Sequence, residues 1–217
     1  MKYPRTYHLP WSPGKTSDDK VLQSIANFIG IPLIITEKLD GGNACITKTS
    51  IFARTHSKKA KHNSFDWLKA YHSQIAYNLP ENLMFFGENM FARHSILYNG
   101  LTSLFYLFGV YDNKKNMWSS WTELKEYSKL LNFPCVPLLW EGIVKSENEL
   151  NDLINMIISK GSIIGGKEIE GVVIRNSDGF TNDEFQQNLA KWVRSDHVQT
   201  DDEWHKSPIT RNKLINE

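Results

Sequence analysis

The stretch "IPLIITEKLDGGN", residues 31–43, runs from an apolar segment into a lysine flanked by acids and then into two glycines. Its short, β-branched apolar part predicts a buried strand. The strand would lead directly to Lys38, with Glu37 before it and Asp40 two residues after it. Lys38 is then either a solvated charge in a turn or an amine held for a reaction, and the stretch alone leaves both interpretations open.

The composition is that of a globular chain with balanced charge. The 217 residues are 41% hydrophobic and 12% aromatic, and 25 basic against 24 acidic side chains give a formal net charge of +1. Any affinity for a polyanion therefore has to come from local patches. Cys45 and Cys135 predict reduced thiols, not a disulfide framework. The chain shows neither an apolar signal-peptide core nor a membrane-spanning run, so we expect a cytoplasmic protein.

Helix signals occur at four places in the sequence. Apolar spacing and a glycine stop predict a helix over 17–30, after an irregular arm over 1–16. A second amphipathic helix is predicted from about Ser64 to the residue before Pro80. Two more helices begin at capping-box patterns, Ser120 with Glu123 and Ser146 with Glu149.

Strand signals fill most of the rest of the chain, with no internal repeat and no linker. One mixed α+β domain over residues 1–217 is therefore the predicted organisation, without a complete accessory OB domain. The strands are predicted, in order, in "IPLIIT", the hairpin "ACITKTSIFART", "LMFFGE", "LFYLFGVYD", "PLLWEGIV", "EGVVIR" and "LAKWVR".

Two other kinds of site can be set aside from the sequence. Residues 161–168, "GSIIGGKE", nearly spell a phosphate-binding P-loop, but Glu168 stands where a hydroxyl is needed, and a strand follows instead of a helix. A glycine-rich turn is the better interpretation. The histidines are not spaced with paired cysteines, so a structural zinc site is not expected.

Several apolar runs end on a chemically useful side chain. Lys38 is followed by Arg54 in "FARTHS", Glu88 in "FFGENM", Glu170 in "IEGVVIR" and Lys191 in "LAKWVR". One such residue is more often a solvated strand end or a strand-end ion pair. Their recurrence in this order favours a shared site.

These segments resemble the motifs of the covalent nucleotidyltransferases, the superfamily of polynucleotide ligases and mRNA capping enzymes. The resemblance extends from about residue 33 to 195. "EKLDGGN" resembles the nucleophile motif Lys-x-Asp-Gly, and the later motifs are matched by "ARTHS", "FFGE", "FYLFGVYD", "IEGVVIR" and "LAKWV".

Within that superfamily the chain is most similar to RNA ligases related to the nick-sealing phage enzyme. Asn43 stands two residues after Gly41, where DNA ligases and capping enzymes usually carry arginine, and the spacing from Glu88 to Phe108 also resembles the RNA ligases. The resemblance implies an α+β fold with a nucleotidyltransferase (ATP-grasp-like ligase) core of antiparallel sheets flanked by helices.

The implied activity is ATP-dependent joining of RNA ends. The amine of Lys38 would attack the α-phosphorus of ATP, release pyrophosphate and form lysyl-AMP. AMP would then pass to a 5′-phosphate, and a 3′-hydroxyl would displace it. On the order of one free lysine amine in a thousand is neutral near pH 7, and adjacent carboxylates make this worse. Because a dication held by those carboxylates reverses the local field, we expect dependence on Mg²⁺ or Mn²⁺ as well as on ATP.

The resemblance also implies roles for the other residues. Glu88 would bind the sugar hydroxyls, Phe108 would stack on adenine with Glu37 near its exocyclic edge, and Lys191 would contact the α-phosphate. Phe108 is equally compatible with a core position. The full set of expected nucleotide contacts is Glu37, Asp40, Gly41, Asn43, Arg54, Glu88, Phe108, Glu170 and Lys191, and metal contacts through water are expected from Asp40, Glu88 and Glu170.

Basic side chains for RNA, or for the ends of an RNA/DNA hybrid, are expected in residues 56–62, "HSKKAKH", although a solvated loop explains that run equally well. Val193 stands where the fifth motif usually has a second lysine, and alternation would direct Arg194 to the opposite face. The expected nucleic-acid contacts are Lys58, Lys59, Lys61 and Arg194, with Arg211 and Lys213 as further candidates.

The sequence leaves three other functions open: a DNA ligase, a capping enzyme and a non-enzymatic binding module. A DNA ligase or a GTP-dependent capping guanylyltransferase would use the same motifs. A nucleic-acid-binding module with a degenerate form of this fold would need no reactive lysine. An accessory protein is a possible source of grip on the strand.

Overall fold

The structure is a computed structural model of the whole chain, in which residues 1–54, 59–165, 167–195 and 210–217 are described. Two sheets and four α-helices make up the described part, which confirms the expected α+β class. The helices are α1 (Asp66–Ile75), α2 (Trp121–Leu131), α3 (Glu147–Ser159) and α4 (Phe185–Asn188). The strands are β1 (Tyr7–His8), β2 (Pro32–Lys38), β3 (Gly42–Ile46), β4 (Ile51–Ala53), β5 (Leu83–Asn89), β6 (Phe105–Asp112), β7 (Met117–Trp118), β8 (Leu138–Ile143), β9 (Gly171–Asn176), β10 (Phe180–Thr181) and β11 (Leu189–Val193).

The first sheet carries the lysine strand and has the order β1-β11-β9-β2-β8. Its pairings are antiparallel except for β1 with β11. Leu33 and Ile35 of β2 pack into a core with α3, whereas Ile34 packs into the core of the other sheet. Because side chains alternate along a strand, Lys38 lies on the face of Ile34 and Glu37 on the face of Ile35.

The second sheet, β10-β7-β6-β5-β3-β4, is antiparallel throughout its described pairings. Phe85 and Phe105 from its central strands are fully buried in the larger core, against Leu124 of α2. Another cluster joins Phe86 of this sheet to Leu189 of β11. The two sheets therefore pack against each other, and the ends of β2, β9 and β11 meet β3, β5 and β6 across a cleft.

The helix expected over 17–30 is wrong. This segment contains only a 3-10 turn at Ala26–Phe28. Before that turn the chain is extended, because His8 N–H donates to Lys20 O and Leu22 N–H donates to His8 O. Backbone groups bonded to β1 cannot also close helical turns, so a tertiary contact overrides the apolar spacing.

The other long elements lie where the sequence predicts them. The capping box at the start of α2 is complete. At the start of α3, the Ser146 hydroxyl accepts from Glu149 N–H, but the Glu149 carboxylate accepts from Lys145 N–H instead of the cap. Among the described helices, none has the length and apolar character that crossing a bilayer requires.

Candidate active site

A cleft with a cavity volume of about 740 Å³ lies between the two sheets. It contains side chains from both sheets and from the turns that follow their strands. Most of the residues singled out in the sequence come together here, although they are far apart along the chain. The sequence-predicted residues that line the cleft are Glu37, Lys38, Asp40, Gly41, Asn43, Arg54, Lys61, Glu88, Phe108, Glu170 and Lys191.

Lys38 ends β2 and pairs in register with Gly171 at the start of β9. This register brings its amine beside the residue that precedes β9, so that Lys38 Nζ lies 2.6 Å from Glu170 Oε1. The lysine side chain is 27% exposed and the glutamate 6%. The lysine is therefore held inside the cleft and is not a solvated turn residue.

Carboxylates control the protonation of this amine. Burial alone would lower the pKa of Lys38, but the negative charges of Glu170, Glu88 and Asp40 outweigh it and raise the pKa above the ordinary value. Without added positive charge in the cleft, Lys38 is an ammonium ion and has no lone pair for attack. The expectation that neighbouring acids alone cannot activate the amine follows from this geometry.

Glu88 lies on β5 opposite Asn43 of β3. Burial raises its pKa to about 8, with the charges of Glu170 and Asp40 adding to the rise and that of Lys38 opposing it. A carboxyl group with such a pKa takes up a proton near neutral pH unless a cation stabilises its charge. The cleft thus has more negative charge than Lys38 alone balances.

Asp40 has a structural task in addition to its charge. Its Oδ2 accepts hydrogen bonds from Ser95 N–H at 2.8 Å, from the Ser95 hydroxyl at 2.6 Å and from Ile96 N–H at 3.0 Å. Its own N–H donates to Tyr98 Oη at 2.9 Å. Asp40 therefore fixes the loop after β5 against the glycine turn, and contact with a hydrated cation would use Oδ1.

The carboxylates suit a hydrated cation better than a direct metal cage. Among the described residues, no group of three or more histidine, cysteine, aspartate or glutamate side chains is arranged to bind a metal ion directly. Magnesium usually keeps several of its waters, so a set of acids around a cleft still fits it. Contacts through water from Asp40, Glu88 and Glu170 stay a prediction, and their carboxylate oxygens are donors of the type that Mg²⁺ prefers.

The glycine after Asp40 is required by close packing. A Cβ on Gly41 would lie 2.7 Å from Met90 Sδ and 2.8 Å from Asn89 O. Asn43 follows two residues later, and no hydrogen-bond partner for its buried Oδ1 is found in the described part of the chain. A buried acceptor without a partner is rare in folded proteins, and here it lines the cleft, where a ligand hydroxyl or amine would satisfy it.

Phe108 is half-buried and lines the cleft, as expected for a residue that stacks on a base. The ring of Tyr3 stands edge-on to it at 5.0 Å between centroids. Tyr3 also contacts Phe86, Trp118 and Phe185, at 5.2 to 5.3 Å. The N-terminal arm thus closes one side of the aromatic end of the cleft, which the sequence did not indicate.

Arg175 was also missed, although it ends the quoted strand "EGVVIR". It is buried and lines the cleft, and its Nη2 donates to Ser119 O at 2.6 Å and its Nε to Asn176 O at 3.2 Å. Burial lowers its pKa to about 10. The strand-end signal that singled out the other charged residues would have found it.

Glu37 faces away from Lys38, toward the turn after α3. The Ser162 hydroxyl donates to its Oε1 at 2.5 Å and Ile163 N–H to its Oε2 at 3.2 Å. Glu37 is 1% exposed, and burial raises its pKa while these two hydrogen bonds oppose the rise. A contact with the adenine edge would have to share oxygens that already bind this turn.

Lys191 projects from β11 into the cleft, and its Nζ lies 3.5 Å from Asp19 Oδ1. Nothing in the sequence singled out Asp19. Val193 is buried and lines the cleft at the position of the usual second lysine. Arg194, one residue on, is not part of the cleft lining and lies 3.5 Å from Glu168 through Nη2 and Oε2.

The remaining basic candidates are dispersed. Lys59 and Lys61 are exposed, and of the two only Lys61 lines the cleft. Lys58 lies outside the described residues. Arg211 is paired with Glu217 at 2.7 Å.

Comparison with known proteins identifies the family and supports the fold. The sequence profile of the family described as RNA ligase matches residues 31–193, about three quarters of the chain. A Naegleria gruberi RNA ligase solved with pyrophosphate has a similar fold, with a TM-score of 0.57 and 23% identity over 78% of this chain and 51% of that one. An archaeal ATP-dependent RNA ligase is similar with a TM-score of 0.55 and 14% identity over 89% of this chain and 48% of that one.

A proposed ATP-dependent DNA ligase of Aquifex aeolicus is similar too, with a TM-score of 0.61 and 18% identity over 89% of this chain and 50% of that one. A search of curated proteins found no match. The chain spans about half the length of the solved ligases that it resembles. The identities are low, so these structures show the fold alone. The family profile covers most of the chain, and it shows that this chain belongs to the RNA ligase family.

Proposed function

We propose that the chain is the nucleotidyltransferase part of an ATP-dependent RNA ligase, which joins 3′-hydroxyl and 5′-phosphate ends through lysyl-AMP on Lys38. The observation that carries the proposal is the amine of Lys38, 2.6 Å from Glu170 in a cleft lined by the other residues of the family motifs. Family membership supports the same activity.

The chain's own residues prepare the amine for attack. In the ammonium form, Lys38 Nζ donates to Glu170 Oε1. After one proton passes to water, a remaining N–H can keep that hydrogen bond, so the lone pair is directed by Glu170. Nζ then forms a bond to the α-phosphorus while the bond from that phosphorus to the pyrophosphate oxygen breaks and pyrophosphate leaves with the electron pair. The nitrogen bound to phosphorus then releases a second proton to water, which gives the lysyl-AMP phosphoramide. In-line positioning of this kind is the main contribution that a protein makes to phosphoryl transfer.

A bound Mg²⁺ or Mn²⁺ would supply positive charge that offsets Asp40, Glu88 and Glu170 and so favours the neutral amine. The three carboxylates that act on Lys38 and the raised pKa of Glu88 support this requirement. A variant of the Naegleria gruberi RNA ligase, similar to this chain with a TM-score of 0.53, is solved with ATP and Mn.

The nucleotide would lie along the cleft from Phe108 to Lys191. Phe108 offers a ring for the base, and Asn43 Oδ1 and Glu88 face each other across β3 and β5 where ribose hydroxyls would donate. Lys191 and Arg54 offer positive charge for the phosphates. Glu37 would take part only by sharing the oxygens that hold the turn after α3.

RNA is the proposed second substrate. We expect its phosphates to contact Lys61, which lines the cleft, and also Lys59 and Arg194, which are close in sequence to residues of the cleft. Such binding weakens as the salt concentration rises. Lys58 is proposed on sequence alone. Because the match spans only about half of the solved ligases, we also propose that an accessory protein contributes to strand grip. The free thiols of Cys45 and Cys135 support a cytoplasmic location.

One experiment tests the activity and its alternatives. The protein is incubated with α-labelled ATP or GTP and Mn²⁺ or Mg²⁺, and covalent label is measured. We expect label from ATP that is lost in Lys38→Ala and kept in Lys48→Ala, a lysine paired with Glu81 on the surface. Label from GTP would indicate a capping enzyme, and no label would refute the proposal.

The similarity to the Aquifex aeolicus protein makes a DNA ligase the second candidate. Sealing of nicked RNA, DNA and hybrid duplexes separates the two. We expect faster sealing when RNA provides the ends, and sealing restricted to DNA would favour the second candidate.

A further inference from the structure

The N-terminal arm builds one wall of the cleft beside Lys191. β1 runs parallel to β11, with Tyr7 opposite Ala190 and His8 opposite Lys191. Leu9 N–H then donates to Lys191 O at 2.8 Å. The strand that carries Lys191 is therefore fixed on one side by residues from the beginning of the chain.

Asp19 is the carboxylate that this arm brings to Lys191. Its Oδ1 lies 3.5 Å from Lys191 Nζ and 3.4 Å from His8 Nε2. Its Oδ2 accepts from Thr16 N–H at 3.0 Å and from the Thr16 hydroxyl at 3.1 Å. The side chains of Asp19 and Lys191 are 16% and 18% exposed. Asp19 is thus held by its own turn, unlike the mobile partner in a typical surface ion pair.

His8 links Asp19 back to β11. It is fully buried, and its Nδ1 lies 2.8 Å from Ser12 Oγ. That hydroxyl oxygen accepts from Val193 N–H at 2.9 Å. Burial, followed by the charge of Lys191, lowers the pKa of His8 to about 4, so the imidazole is neutral near pH 7. His8 Nε2 lies 3.4 Å from Asp19 Oδ1, so a chain of contacts runs from Asp19 through His8 and Ser12 to Val193 of β11.

Lys191 needs such support because its surroundings disfavour its charge. Burial and then the nearby charge of Lys38 lower the pKa of Lys191, whereas Asp19 and Glu170 oppose this effect. Hydrogen bonds from Thr16 and the charge of Lys191 overcome burial and lower the pKa of Asp19 to about 2, so Asp19 is negatively charged near neutral pH. Two cations in one cleft repel each other, and Asp19 is the fixed charge on the outer side of Lys191.

From this geometry we infer that Asp19 is a positioning residue, which holds the ammonium group of Lys191 at the phosphate end of the cleft so that it meets the α-phosphate as lysyl-AMP forms. The inference rests on the proposed function and extends it to a residue of the arm. Asp19 does not contact the reacting atoms in this role. It acts through Lys191, and that dependence can be measured.

The test is a double-mutant cycle on the rate of lysyl-AMP formation. Asp19→Asn keeps the shape and removes the charge, and Asp152→Asn is the control because Asp152 is exposed on α3 and is not part of the cleft lining. We expect Asp19→Asn to lower the rate at saturating ATP about 10-fold with a change in KM below about twofold, and Asp19→Glu to recover most of it. Asp152→Asn should change neither parameter.

In a Lys191→Ala background, Asp19→Asn should have almost no further effect on this rate. Multiplicative effects of the two substitutions, with melting temperatures that fall in parallel, would show a general structural role and overturn the inference. If Asp19→Asn does not fold, Thr16→Val serves instead, because it removes one hydrogen bond to Asp19 and leaves the charge in place.

A second readout does not depend on turnover. The protein without nucleotide is acetylated briefly with limiting acetic anhydride, and the modification of Lys191 is measured by mass spectrometry. We expect several-fold more modification in Asp19→Asn than in Asp152→Asn, since the amine loses its fixed partner. Equal modification would overturn the inference even if the wild-type protein forms lysyl-AMP, whereas absence of lysyl-AMP in the wild type would refute the proposed function instead.

Discussion

Replacing Glu170 with glutamine should make the amine of Lys38 more reactive toward an acylating reagent, but it should slow the formation of lysyl-AMP. The two side chains meet at 2.6 Å, and Glu170 is the leading carboxylate among those that raise the pKa of Lys38. Glutamine keeps the shape and removes the charge. Burial and the remaining carboxylates are unchanged, so the neutral amine becomes more populated at any given pH.

The size of the effect follows from the contact. Two unit charges at this separation interact by about 6 kcal/mol at an effective dielectric constant of about 20, which is an upper bound. A charged hydrogen bond contributes about 1.5–3 kcal/mol net of solvation. At about 1.4 kcal/mol per factor of ten, we expect acylation of Lys38 to be about 10- to 100-fold faster in Glu170→Gln at the same pH.

The assay is brief acetylation of the nucleotide-free protein, with the Lys38 peptide quantified against the exposed Lys48 peptide in the same sample. Glu168→Gln is the matched control, since Glu168 lies two residues away and pairs with Arg194. In the same variant, lysyl-AMP formation from ATP should fall by about 100-fold, because orientation of the amine and a carboxylate of the cation site are lost. Slower or unchanged acetylation in Glu170→Gln would refute the electrostatic reasoning.

Three further predictions test other parts of the cleft. Glu88 keeps its proton up to about pH 8 in the folded state, while the unfolded chain releases it near pH 4.5. The free energy of unfolding should therefore fall as pH rises between these values, by at most about 1.4 kcal/mol per pH unit. Melting curves of Glu88→Gln should show a flatter pH dependence of stability, and a slope equal to that of the wild type would contradict the raised pKa of Glu88. Gly41→Ala should lose about 1–3 kcal/mol of stability in chemical denaturation, because its Cβ would meet Met90 Sδ at 2.7 Å, and an unchanged midpoint would show that the turn relaxes. Phe108→Ala should raise KM for ATP about 10-fold with little change in the saturated rate, as base stacking contributes about 1–3 kcal/mol, and steady-state adenylation with an unaltered KM would place the base elsewhere.

The sequence was sufficient for the elements that have a clear period or a strong local signal. The lysine strand, the strand "EGVVIR" and the capped helix α2 lie where they are predicted. The charged residues that the sequence singled out for a shared site all line the same cleft: Lys38, Arg54, Glu88, Glu170 and Lys191. A strand that alternates over several residues reports which face is buried. The alternation then also determines the face of the sheet on which a motif residue at the strand end lies.

The parts that the sequence did not predict depend on contacts between distant segments. The helix expected over 17–30 fails because β1 takes the hydrogen bonds of Lys20 and Leu22. Nothing local to Asp19 or Tyr3 indicates that one meets Lys191 and the other Phe108. Hydrophobic periodicity and secondary-structure propensity predict which residues are buried. They do not identify the distant segment that packs against each of those residues.

The parallel pairing of β1 with β11 has a consequence for how the protein assembles. It joins His8 to Lys191, whereas the hairpin of β5 and β6 joins neighbours in the chain. Closing a long loop costs more entropy than closing a short one, and non-local pairings slow folding. During refolding from denaturant, hairpin signals in circular dichroism should therefore recover first, and the ability to take up label from ATP should return only in the last kinetic phase.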